Sequence, residues 1–423
     1  MKTEICIIGA GPAGLTAAIF AAQAGAHTTV IEANTTPGRK LLLTGAGRCN
    51  LTHKTDPAEL VRTLGPPQGR FLSYCLYKFS PQDVLDFFAS LGLKVRTEQD
   101  GCVFPASDRS SDVRDALVKR AKKLGVNFLY GSRAGNITKQ VDTFIVHFPK
   151  EPIQAEKVII ATGGLSWPRT GCTGDGYRFA RSFGHHITQT RASLVPLVTL
   201  EDWPAQLAGT PVEYVRISAR INNKKIATAG ALIFTDDGIG GPAVLDMSRH
   251  LTDYLPAEKA PIEITLDLAP PLEQSGLDKE ITALISANPK KKTVNILAEF
   301  LPRRLAIFLC ERAGCDGGFP AGRLKKDVRK KLASTIKALS LSITRTRPIA
   351  EATVTRGGVS LKEIEPKTME SKLCPGLFFA GEVLDVDGPC GGYNLQICFS
   401  TGAMAASAAV QNTQQHRNKG LPH

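Results

Sequence analysis

The order of apolar and polar positions near the start of the chain predicts a strand, a tight turn, a helix and a second strand. Residues 5–8 (Ile-Cys-Ile-Ile) are an apolar, β-branched run with the length of a buried strand. A glycine-rich turn over residues 9–14 follows, and the small residues of 15–24 predict a helix that ends at Gly25. The next apolar run ends on an acid, Glu32, which completes a β-α-β unit.

Two later apolar runs predict further strands of the same sheet. Residues 158–160 form a buried strand that ends in Ala-Thr-Gly-Gly, and residues 377–379 form one that ends in Ala-Gly-Glu. A polar–apolar alternation over 134–148 predicts antiparallel strands, and small residues over 395–410 predict a helix. Both ends of the chain are therefore expected in one α/β domain.

The pattern changes between these segments. Short alternating runs within residues 193–267 predict a small β-barrel or sandwich, and residues 277–338 predict several short helices. We therefore expect a discontinuous first domain with an inserted domain. The expected boundaries are 1–190 and 346–410 for the first domain, 191–345 for the insert (191–270 β-barrel, 271–345 helical) and 411–423 for a disordered polar tail.

The turn over residues 9–14 is a G-x-G-x-x-G, and its setting points to an adenine dinucleotide. Gly9 permits the tight turn, Gly11 lets the backbone approach a pyrophosphate, and Gly14 lets the helix pack closely on the sheet. The helix N-terminus offers N–H groups and a partial positive charge to the phosphates. Glu32, at the end of the next strand, is placed to accept the ribose hydroxyls and disfavours a 2′-phosphate.

A loop over residues 37–52 follows Glu32 and carries polar groups towards the same site. Its cations are Arg39, Lys40 and Arg48, and its neutral hydrogen-bonding residues are Thr44 and Asn50. Disulfide oxidoreductases of this architecture carry C-x-x-x-x-C near here, but Lys54 stands where the second cysteine would be. We therefore interpret Cys49 as a packing residue of this loop rather than a member of a redox dithiol.

Length and composition exclude several classes of protein. A chain of 423 residues exceeds one usual core and predicts two or three domains. Its 43% hydrophobic and 22% charged residues are typical of a globular protein, and no stretch approaches the roughly 20 apolar residues of a membrane span. The ten cysteines form no C-x-x-C pair and no zinc-ligand grouping, which predicts reduced thiols, no metal site and a cytoplasmic location.

Net charge is +13, and part of it is concentrated in one segment. Residues 290–331 contain twelve Lys/Arg against four Asp/Glu. These cations are either the solvated faces of helices or a surface that attracts an anionic partner, such as a carboxylate, a phosphate or a nucleic acid. The sequence leaves both interpretations open.

Several motifs together resemble one bacterial family. They are the 9–14 glycine turn, Gly38-Arg39-Lys40, Gly47-Arg48-Cys49-Asn50, the 161–164 strand end, Gly357-Gly358-Val359, Gly381-Glu382 and Gly391-Gly392-Tyr393-Asn394-Leu395-Gln396. The chain is similar over residues 1–410 to NAD(P)/FAD-dependent oxidoreductases of the BaiN/RdsA type, some members of which are called aminoacetone oxidases. The resemblance implies non-covalently bound FAD and an α/β fold: a glutathione-reductase-like FAD-binding Rossmann domain with an inserted β-barrel plus small helical domain.

The function that we predict is FAD-dependent transfer of a hydride or electron pair between flavin and a small or medium organic substrate. NAD(P)H is the expected transient donor. The alternative is a flavin-dependent RNA-modifying enzyme that uses the basic 290–331 surface. The sequence shows no aromatic stacking platform for single-stranded RNA, which argues against a nucleic-acid partner. A flavin-binding regulatory protein without turnover also fits the residues.

The site residues follow from the motifs and from the resemblance. A small-molecule partner and no membrane partner are expected. Tyr393 and Asp385 are the candidate catalytic residues. The predicted cofactor-binding residues are Gly9, Ala10, Gly11, Pro12, Ala13, Gly14, Glu32, Ala33, Arg39, Lys40, Gly47, Arg48, Cys49, Asn50, Ala134, Ala161, Thr162, Gly163, Gly381, Glu382, Gly391, Gly392, Tyr393 and Asn394.

Overall fold

The structure is a computed structural model that describes residues 1–149, 151–255 and 261–419. The chain divides into two compact units. Unit 1 is formed by Met1–Arg191 together with the chain from Ile349 onward, and unit 2 is Ala192–Pro348. The bounds predicted for the insert, 191–345, differ from those of unit 2 by one to three residues, whereas unit 1 continues beyond the predicted end of the first domain at residue 410. The assignment of these segments as domains stays a prediction.

The strands and helices are numbered in chain order within the described residues. The strands are β1 (Lys2–Ile8), β2 (Thr28–Ile31), β3 (Thr52–His53), β4 (Val95–Thr97), β5 (Cys102–Pro105), β6 (Asn127–Leu129), β7 (Asn136–Gln140), β8 (Thr143–His147), β9 (Ile153–Ile160), β10 (Arg191–Ser193), β11 (Leu197–Thr199), β12 (Pro211–Ile221), β13 (Lys224–Thr235), β14 (Gly238–Gly240), β15 (Ile262–Asp267), β16 (Leu339–Thr346), β17 (Val354–Arg356) and β18 (Leu377–Phe379). The helices are α1 (Pro12–Gln23), α2 (Pro57–Leu64), α3 (Gln68–Lys78), α4 (Pro81–Ser90), α5 (Ser110–Lys123), α6 (Asp175–Ser182), α7 (Pro242–Leu251), α8 (Gln274–Ala287), α9 (Thr293–Leu297), α10 (Arg303–Ala313), α11 (Lys326–Lys337) and α12 (Tyr393–Lys419).

Unit 1 is organised around a sheet with strand order β6-β2-β1-β9-β8-β7, with β18 also paired to β9. Strands β6, β2, β1, β9 and β18 run parallel, so that Ile8, Ile31, Ile160 and Phe379 lie in register at one edge. The hairpin β7–β8 extends the sheet in antiparallel fashion. Residues 5–8 of β1 are fully or almost fully buried, as their continuous apolar run predicts for a parallel strand covered on both faces.

Helix α1 packs closely against α12, because small residues face the contact. Gly402 of α12 allows this approach, since a Cβ there would lie 2.4 Å from the carbonyl oxygen of Ala13. Almost every residue of α1 from Ala13 to Ala21 is buried. A helix made of alanines and short side chains therefore brings its N-terminus to the carboxyl ends of the parallel strands.

Unit 2 contains a closed antiparallel barrel with strand order β11-β14-β13-β12-β15-β16. Along β12 the residues Val215, Ile217, Ala219 and Ile221 point into the buried core and alternate with more exposed neighbours, which is the pattern expected of a barrel wall. Helix α7 packs on β13, and helices α8 to α11 lie in the chain between the last two barrel strands.

Two predictions made from the sequence are corrected. The segment 271–345 is not helical throughout, because Leu339–Thr346 forms β16 and closes the barrel on β11 and β15. The disordered tail predicted from Gln411 does not hold for residues 411–419, since α12 extends to Lys419; its polar residues include good helix formers such as Gln, Arg and Lys. The rest of that predicted tail, 420–423, lies outside the described residues. Among the described helices, none combines the length and apolarity that crossing a membrane requires.

Candidate functional site

A deep cavity opens in unit 1 at the carboxyl ends of the parallel strands. It encloses about 1280 Å³, including the part open to solvent, and its lining includes Gly9, Glu32 and Ala161, which follow β1, β2 and β9. Ligands of open α/β sheets bind at this edge. The topology alone therefore makes the cavity the candidate binding site.

The three glycines of the first turn have different geometric roles. Gly9 adopts φ +102°, and a Cβ there would lie 2.6 Å from the carbonyl oxygen of Ala161. A Cβ at Gly14 would lie 1.9 Å from the Gly9 carbonyl oxygen, so this position holds α1 against the turn. Gly11 has no atom within 4 Å of the Cβ position, although it lines the cavity. The missing side chain of Gly11 therefore leaves open space rather than relieving a clash.

The N-terminus of α1 is suited to an anion. Gly11 precedes the helix, no side chain caps it, and Pro12 occupies its first turn. Uncapped N–H groups and the helix dipole favour negative charge at this end. Both Gly11 and Pro12 line the cavity.

The Glu32 carboxylate is held in place by the backbone. One of its oxygens accepts the N–H of Ala10 at 2.8 Å, and the other accepts the N–H and the side-chain Nδ2 of Asn34 at 2.8 and 2.7 Å. Glu32 is 7% exposed and lines the cavity. A carboxylate has about four acceptor positions, so one remains for a ligand hydroxyl.

A buried ion pair lies at another part of the cavity wall. The Lys40 ammonium donates to the Glu382 carboxylate at 2.6 Å and to the Ser166 hydroxyl at 2.6 Å. Burial disfavours the charged ammonium and lowers the pKa of Lys40, but the attraction of Glu382 outweighs this effect and places the pKa above its usual value. Lys40 therefore carries a fixed positive charge into the cavity.

Backbone and hydroxyl groups complete the surroundings of Glu382. Its second oxygen accepts the Ser166 hydroxyl and the N–H of Thr355, both at 2.9 Å. The Thr355 hydroxyl in turn accepts the N–H groups of Leu165 and Ser166. Gly164 leaves room for this network, since a Cβ there would lie 2.3 Å from the Thr355 hydroxyl oxygen. Each partner of the ion pair is thus fixed by further hydrogen bonds.

Two thiols also line the cavity. Burial raises the pKa of Cys398 to about 12 and raises the pKa of Cys172, so both are neutral thiols near pH 7. Gly163 adopts φ +72° and leaves space for Cys172, whose Sγ would lie 2.9 Å from a Cβ at that position. Neither cysteine forms a disulfide.

The structure brings many of the predicted cofactor-binding residues together around this cavity. Those that line it are Gly9, Gly11, Pro12, Ala13, Glu32, Ala33, Arg39, Lys40, Ala134, Ala161, Thr162, Gly163, Glu382 and Asn394. Those that do not are Ala10, Gly14, Gly47, Arg48, Cys49, Asn50, Gly381, Gly391, Gly392 and Tyr393. Cofactor binding by the residues that line the cavity remains a prediction.

Residues 47–50 lie outside the cavity lining, because their side chains contact other residues of unit 1. Arg48 pairs with Glu98 at 2.8 Å and lies over the ring of Phe104. The Asn50 side chain accepts the N–H of Val103, and Cys49 is fully buried with a pKa raised by burial to about 12. This segment supports the loop that carries Lys40, and Cys49 is a packing residue as the sequence indicates.

Two glycines of the second group permit close packing. A Cβ at Gly392 would lie 2.5 Å from the backbone of Thr52, and one at Gly381 would lie 2.9 Å from Cβ of Ala13. Ala10 acts through its N–H, which orients Glu32. These positions shape the cavity without contributing to its surface.

The two candidate catalytic residues also lie outside the cavity lining. The ring of Tyr393 stacks on His53, with centroids 5.1 Å apart. Burial raises the pKa of Asp385, opposed by the hydroxyl of Thr188 and the charge of Arg356. The positions of Tyr393 and Asp385 agree with structural roles. A catalytic role for either residue stays a prediction.

Sequence reasoning missed part of the wall. Thr170, Gly171, Cys172 and Asp175 line the cavity together with Arg133, which donates to Asp175. The segment 171–176 is rich in glycine and leads into α6, which begins at Asp175. The density of glycines in this segment is the sequence feature that could have indicated this part of the cavity wall. Gly171 adopts φ +102° and Gly174 adopts φ +80°.

Comparison with known proteins decides the family. The family described as "HI0933-like protein Rossmann domain" matches residues 3–408. The chain belongs to this family. The resemblance to the BaiN/RdsA type and the expected fold class are thereby confirmed.

Two relatives are similar over almost their whole length. One, from Clostridium scindens, is named 3-dehydro-bile acid delta(4,6)-reductase; it is 32% identical over 411 residues, covering 96% of this chain and 99% of the relative. Another, from Escherichia coli, is named ribosomal RNA dihydrouridine synthase; it is 34% identical over 416 residues, covering 97% and 98%. Among solved structures, 3-ketosteroid delta1-dehydrogenase from Sterolibacterium denitrificans has the same fold, with a TM-score of 0.54 at 11% identity over 97% of this chain and 100% of that one.

This member of the HI0933-like family is an FAD-dependent oxidoreductase. The residues present fit FAD. The open space at Gly11, the uncapped start of α1 and the remaining acceptor position of Glu32 suit a pyrophosphate and a ribose. Lys40, Glu382 and Asn394 line the same continuous cavity and provide polar groups for the rest of the molecule.

Proposed function

We propose that this protein reduces a carbon–carbon double bond that is conjugated to a carbonyl group. The support comes from the two relatives together. A reductase of a 3-dehydro-bile acid at positions 4 and 6, and a synthase that makes dihydrouridine, both add hydrogen to such a bond. Two relatives of nearly equal identity that act on unlike molecules share this reaction, and it is therefore the activity that carries over best.

The reaction adds a hydride to one carbon and a proton to the other. FAD, when bound, supplies the hydride and takes up electrons from a donor. The residues of the chain bind and orient it: Glu32 for the adenosine ribose, the N-terminus of α1 for the pyrophosphate, and Lys40 with Glu382 along the cavity wall.

NAD(P)H is the donor that we propose. In the described residues a strand, a G-x-G-x-x-G and a helix occur together once, at residues 2–23. A nicotinamide donor therefore has no dinucleotide fold of its own and is expected to bind transiently. Its product leaves before the acceptor is reduced, which predicts parallel lines in double-reciprocal plots.

The substrate that we propose is uridine in RNA, whose C5=C6 bond is conjugated to a carbonyl. The E. coli relative is named for this product in ribosomal RNA. Net charge is +13, and unit 2 carries exposed cations at Lys290, Lys292, Lys330 and Lys331. A phosphate backbone is the partner that such a charge attracts most strongly.

A small conjugated ketone is the second candidate. It agrees with the small or medium organic substrate predicted from the sequence, and the Clostridium scindens relative, similar over 99% of its length, is named for one. The two substrates differ in charge, so the dependence of the reaction on salt concentration distinguishes them. Reduction of RNA, which makes many phosphate contacts, weakens steeply with ionic strength, whereas reduction of a ketone that carries at most one carboxylate changes far less.

The test is incubation of the protein with NADH or NADPH and unmodified ribosomal RNA, followed by mass spectrometry of the released nucleosides. The expected result is dihydrouridine that depends on enzyme, donor and FAD. A bile-acid dienone under the same conditions tests the second candidate. Failure to reduce either substrate, with FAD bound and reducible, would contradict reduction of a conjugated double bond.

A further inference from the structure

One loop of unit 2 holds an exposed phenylalanine on a rigid support. The loop over 316–322 is fastened to the segment 289–294 by backbone hydrogen bonds along its length. They join Thr293 N–H to Phe319 O (3.0 Å), Val294 N–H to Gly317 O (3.0 Å), Ala321 N–H to Lys291 O (2.8 Å) and Gly322 N–H to Pro289 O (2.9 Å). These four hydrogen bonds therefore fix the backbone of the loop.

More than half of the Phe319 surface is exposed to solvent. Phe319 is 56% exposed, whereas most phenylalanines of the chain are buried. Gly318 and Pro320 on either side leave the ring without bulky neighbours in sequence. An exposed ring on a fixed backbone is a low-entropy surface for stacking.

Three exposed cations lie in or next to the two paired segments. Lys292 pairs with Pro320 as an isolated antiparallel bridge, which places it directly opposite the residue after Phe319. Lys290 lies within the 289–294 segment, and Arg323 directly follows the 316–322 loop. All three are exposed, and none forms an ion pair within the described part of the chain.

The acids nearby are already engaged. Asp316 accepts the N–H of Gly318 inside the loop, and Glu299 pairs with Lys291 at 2.7 Å. Other cations of the 290–331 segment are also occupied, since Arg329 pairs with Asp278 and Arg304 donates to the carbonyls of 206 and 208. Among the cations of the 290–331 segment, Lys290, Lys292 and Arg323 therefore remain exposed and without an ion pair to the described residues, in or next to the paired segments that hold Phe319, as do Lys330 and Lys331 at α11.

We propose that this surface, formed by Phe319, Lys290, Lys292 and Arg323, binds single-stranded RNA. A base stacks on the ring of Phe319, and the adjacent phosphates contact the three cations. Stacking on an aromatic ring together with charge along the backbone is how proteins hold single strands. The inference rests on RNA being the substrate of the proposed function. In this proposal Phe319 is the aromatic platform that the sequence pattern does not show.

The test is fluorescence anisotropy of the FAD-loaded protein with a labelled single-stranded oligouridylate, at low and moderate salt. Phe319→Ala is expected to raise Kd by about 5- to 150-fold, the equivalent of one lost stacked base. Phe319→Trp is expected to retain binding. The matched control is Tyr214→Ala on β12, which removes a ring of 52% exposure and is expected to change Kd by less than about twofold.

The cations have a separate readout. The double variant Lys290→Gln/Lys292→Gln is expected to reduce the slope of log K against log salt by about 1.4, which is about 0.7 per phosphate contact. FAD content and the thermal unfolding midpoint are expected to stay unchanged, since all these side chains are exposed. An unchanged slope would exclude these lysines from the interface.

The outcomes distinguish this surface from the proposed function. If wild-type protein forms dihydrouridine but Phe319→Ala binds RNA as tightly as wild type, the surface is wrong and the function stands. Equal losses in Phe319→Ala and Tyr214→Ala would also overturn the surface. If wild-type protein neither binds single-stranded RNA nor forms dihydrouridine, RNA is not the substrate, and the surface fails with it.

Discussion

The Glu382 carboxylate accepts a hydrogen bond from the Lys40 ammonium at 2.6 Å, across 342 positions of the sequence. Both side chains are largely buried, with 14% and 18% exposure, and both line the cavity. The contact joins the loop after β2 to the segment after β18. It thereby joins parts of the cavity wall that come from the two ends of the chain, and it holds the Lys40 ammonium in a fixed position.

Removal of the carboxylate charge from this pair leaves a buried ammonium without its counterion. Glu382→Gln is expected to lower the free energy of unfolding by about 3–5 kcal/mol and to weaken FAD retention. Urea denaturation and flavin content measure the two effects. Glu156→Gln, an exposed carboxylate on β9, is the control and should change stability by no more than about 0.5 kcal/mol. Equal effects of the two variants would show that the Lys40–Glu382 pair is unimportant.

Gly11 separates cofactor binding from folding. Its φ is −76°, so that a serine fits the backbone and is able to cap α1. Gly11→Ser is expected to preserve or increase stability while lowering FAD affinity by about 10- to 150-fold, because its side chain occupies the cavity and its hydroxyl competes for the helix N–H groups. Gly14→Ser, whose Cβ would meet the Gly9 carbonyl oxygen, is expected instead to destabilise the fold. Retention of FAD by a stable Gly11→Ser protein would place the pyrophosphate elsewhere.

A buried histidine makes stability depend on pH. His185 contacts Glu363 at 3.1 Å and the Ser371 hydroxyl at 2.8 Å, and its side chain is fully buried. Burial lowers the pKa of His185 below 6.5, with Glu363 opposing the shift. Between pH 6.5 and the lowered pKa, the unfolded chain therefore binds a proton that the folded protein does not, so stability falls as pH falls through this window and levels off below it.

His185→Gln is expected to remove this part of the pH dependence. The measurement is the free energy of unfolding from urea curves between pH 8 and pH 5, at intervals of about half a unit. His147→Gln, at an exposed position on β8, serves as the matched control and should keep the wild-type slope. A wild-type slope in His185→Gln would assign the pH dependence to other groups.

The thiols of the cavity are expected to take no part in electron transfer. Burial raises the pKa values of Cys172 and Cys398, and Cys49 is buried outside the cavity. Anaerobic titration should therefore consume one electron pair per FAD, without a long-wavelength thiolate–flavin band. Cys172→Ser and Cys398→Ser should titrate like wild type. Uptake of a second pair, abolished by either substitution, would reveal a redox dithiol.

The sequence predicts those parts of the site that are local in the chain. Gly9, Gly11 and Glu32 lie within one strand–turn–helix–strand unit, where spacing determines geometry. Ser166 and Thr355 were missed because they meet Glu382 only through tertiary packing. The strand Leu339–Thr346 alternates apolar and polar residues clearly, and was missed because the helices before it were extended too far.

Exposure is a second property that sequence pattern does not reveal. The aromatic residues of the chain are few, and a phenylalanine between Gly318 and Pro320 has no helical or strand period that shows which way it faces. The structure shows that Phe319 is exposed, on a loop whose backbone is hydrogen-bonded to the 289–294 segment. The boundaries of helices and strands are easier to predict from the sequence than exposure is, because glycines and prolines mark most of them.

The most direct test of the account is a single turnover. Protein whose FAD has been reduced anaerobically is mixed with unmodified ribosomal RNA, and the flavin absorbance is followed while products are quenched for mass spectrometry. The account predicts that flavin is reoxidised without oxygen and that one dihydrouridine forms for each flavin oxidised. Flavin that stays reduced with both RNA and a conjugated ketone would contradict it.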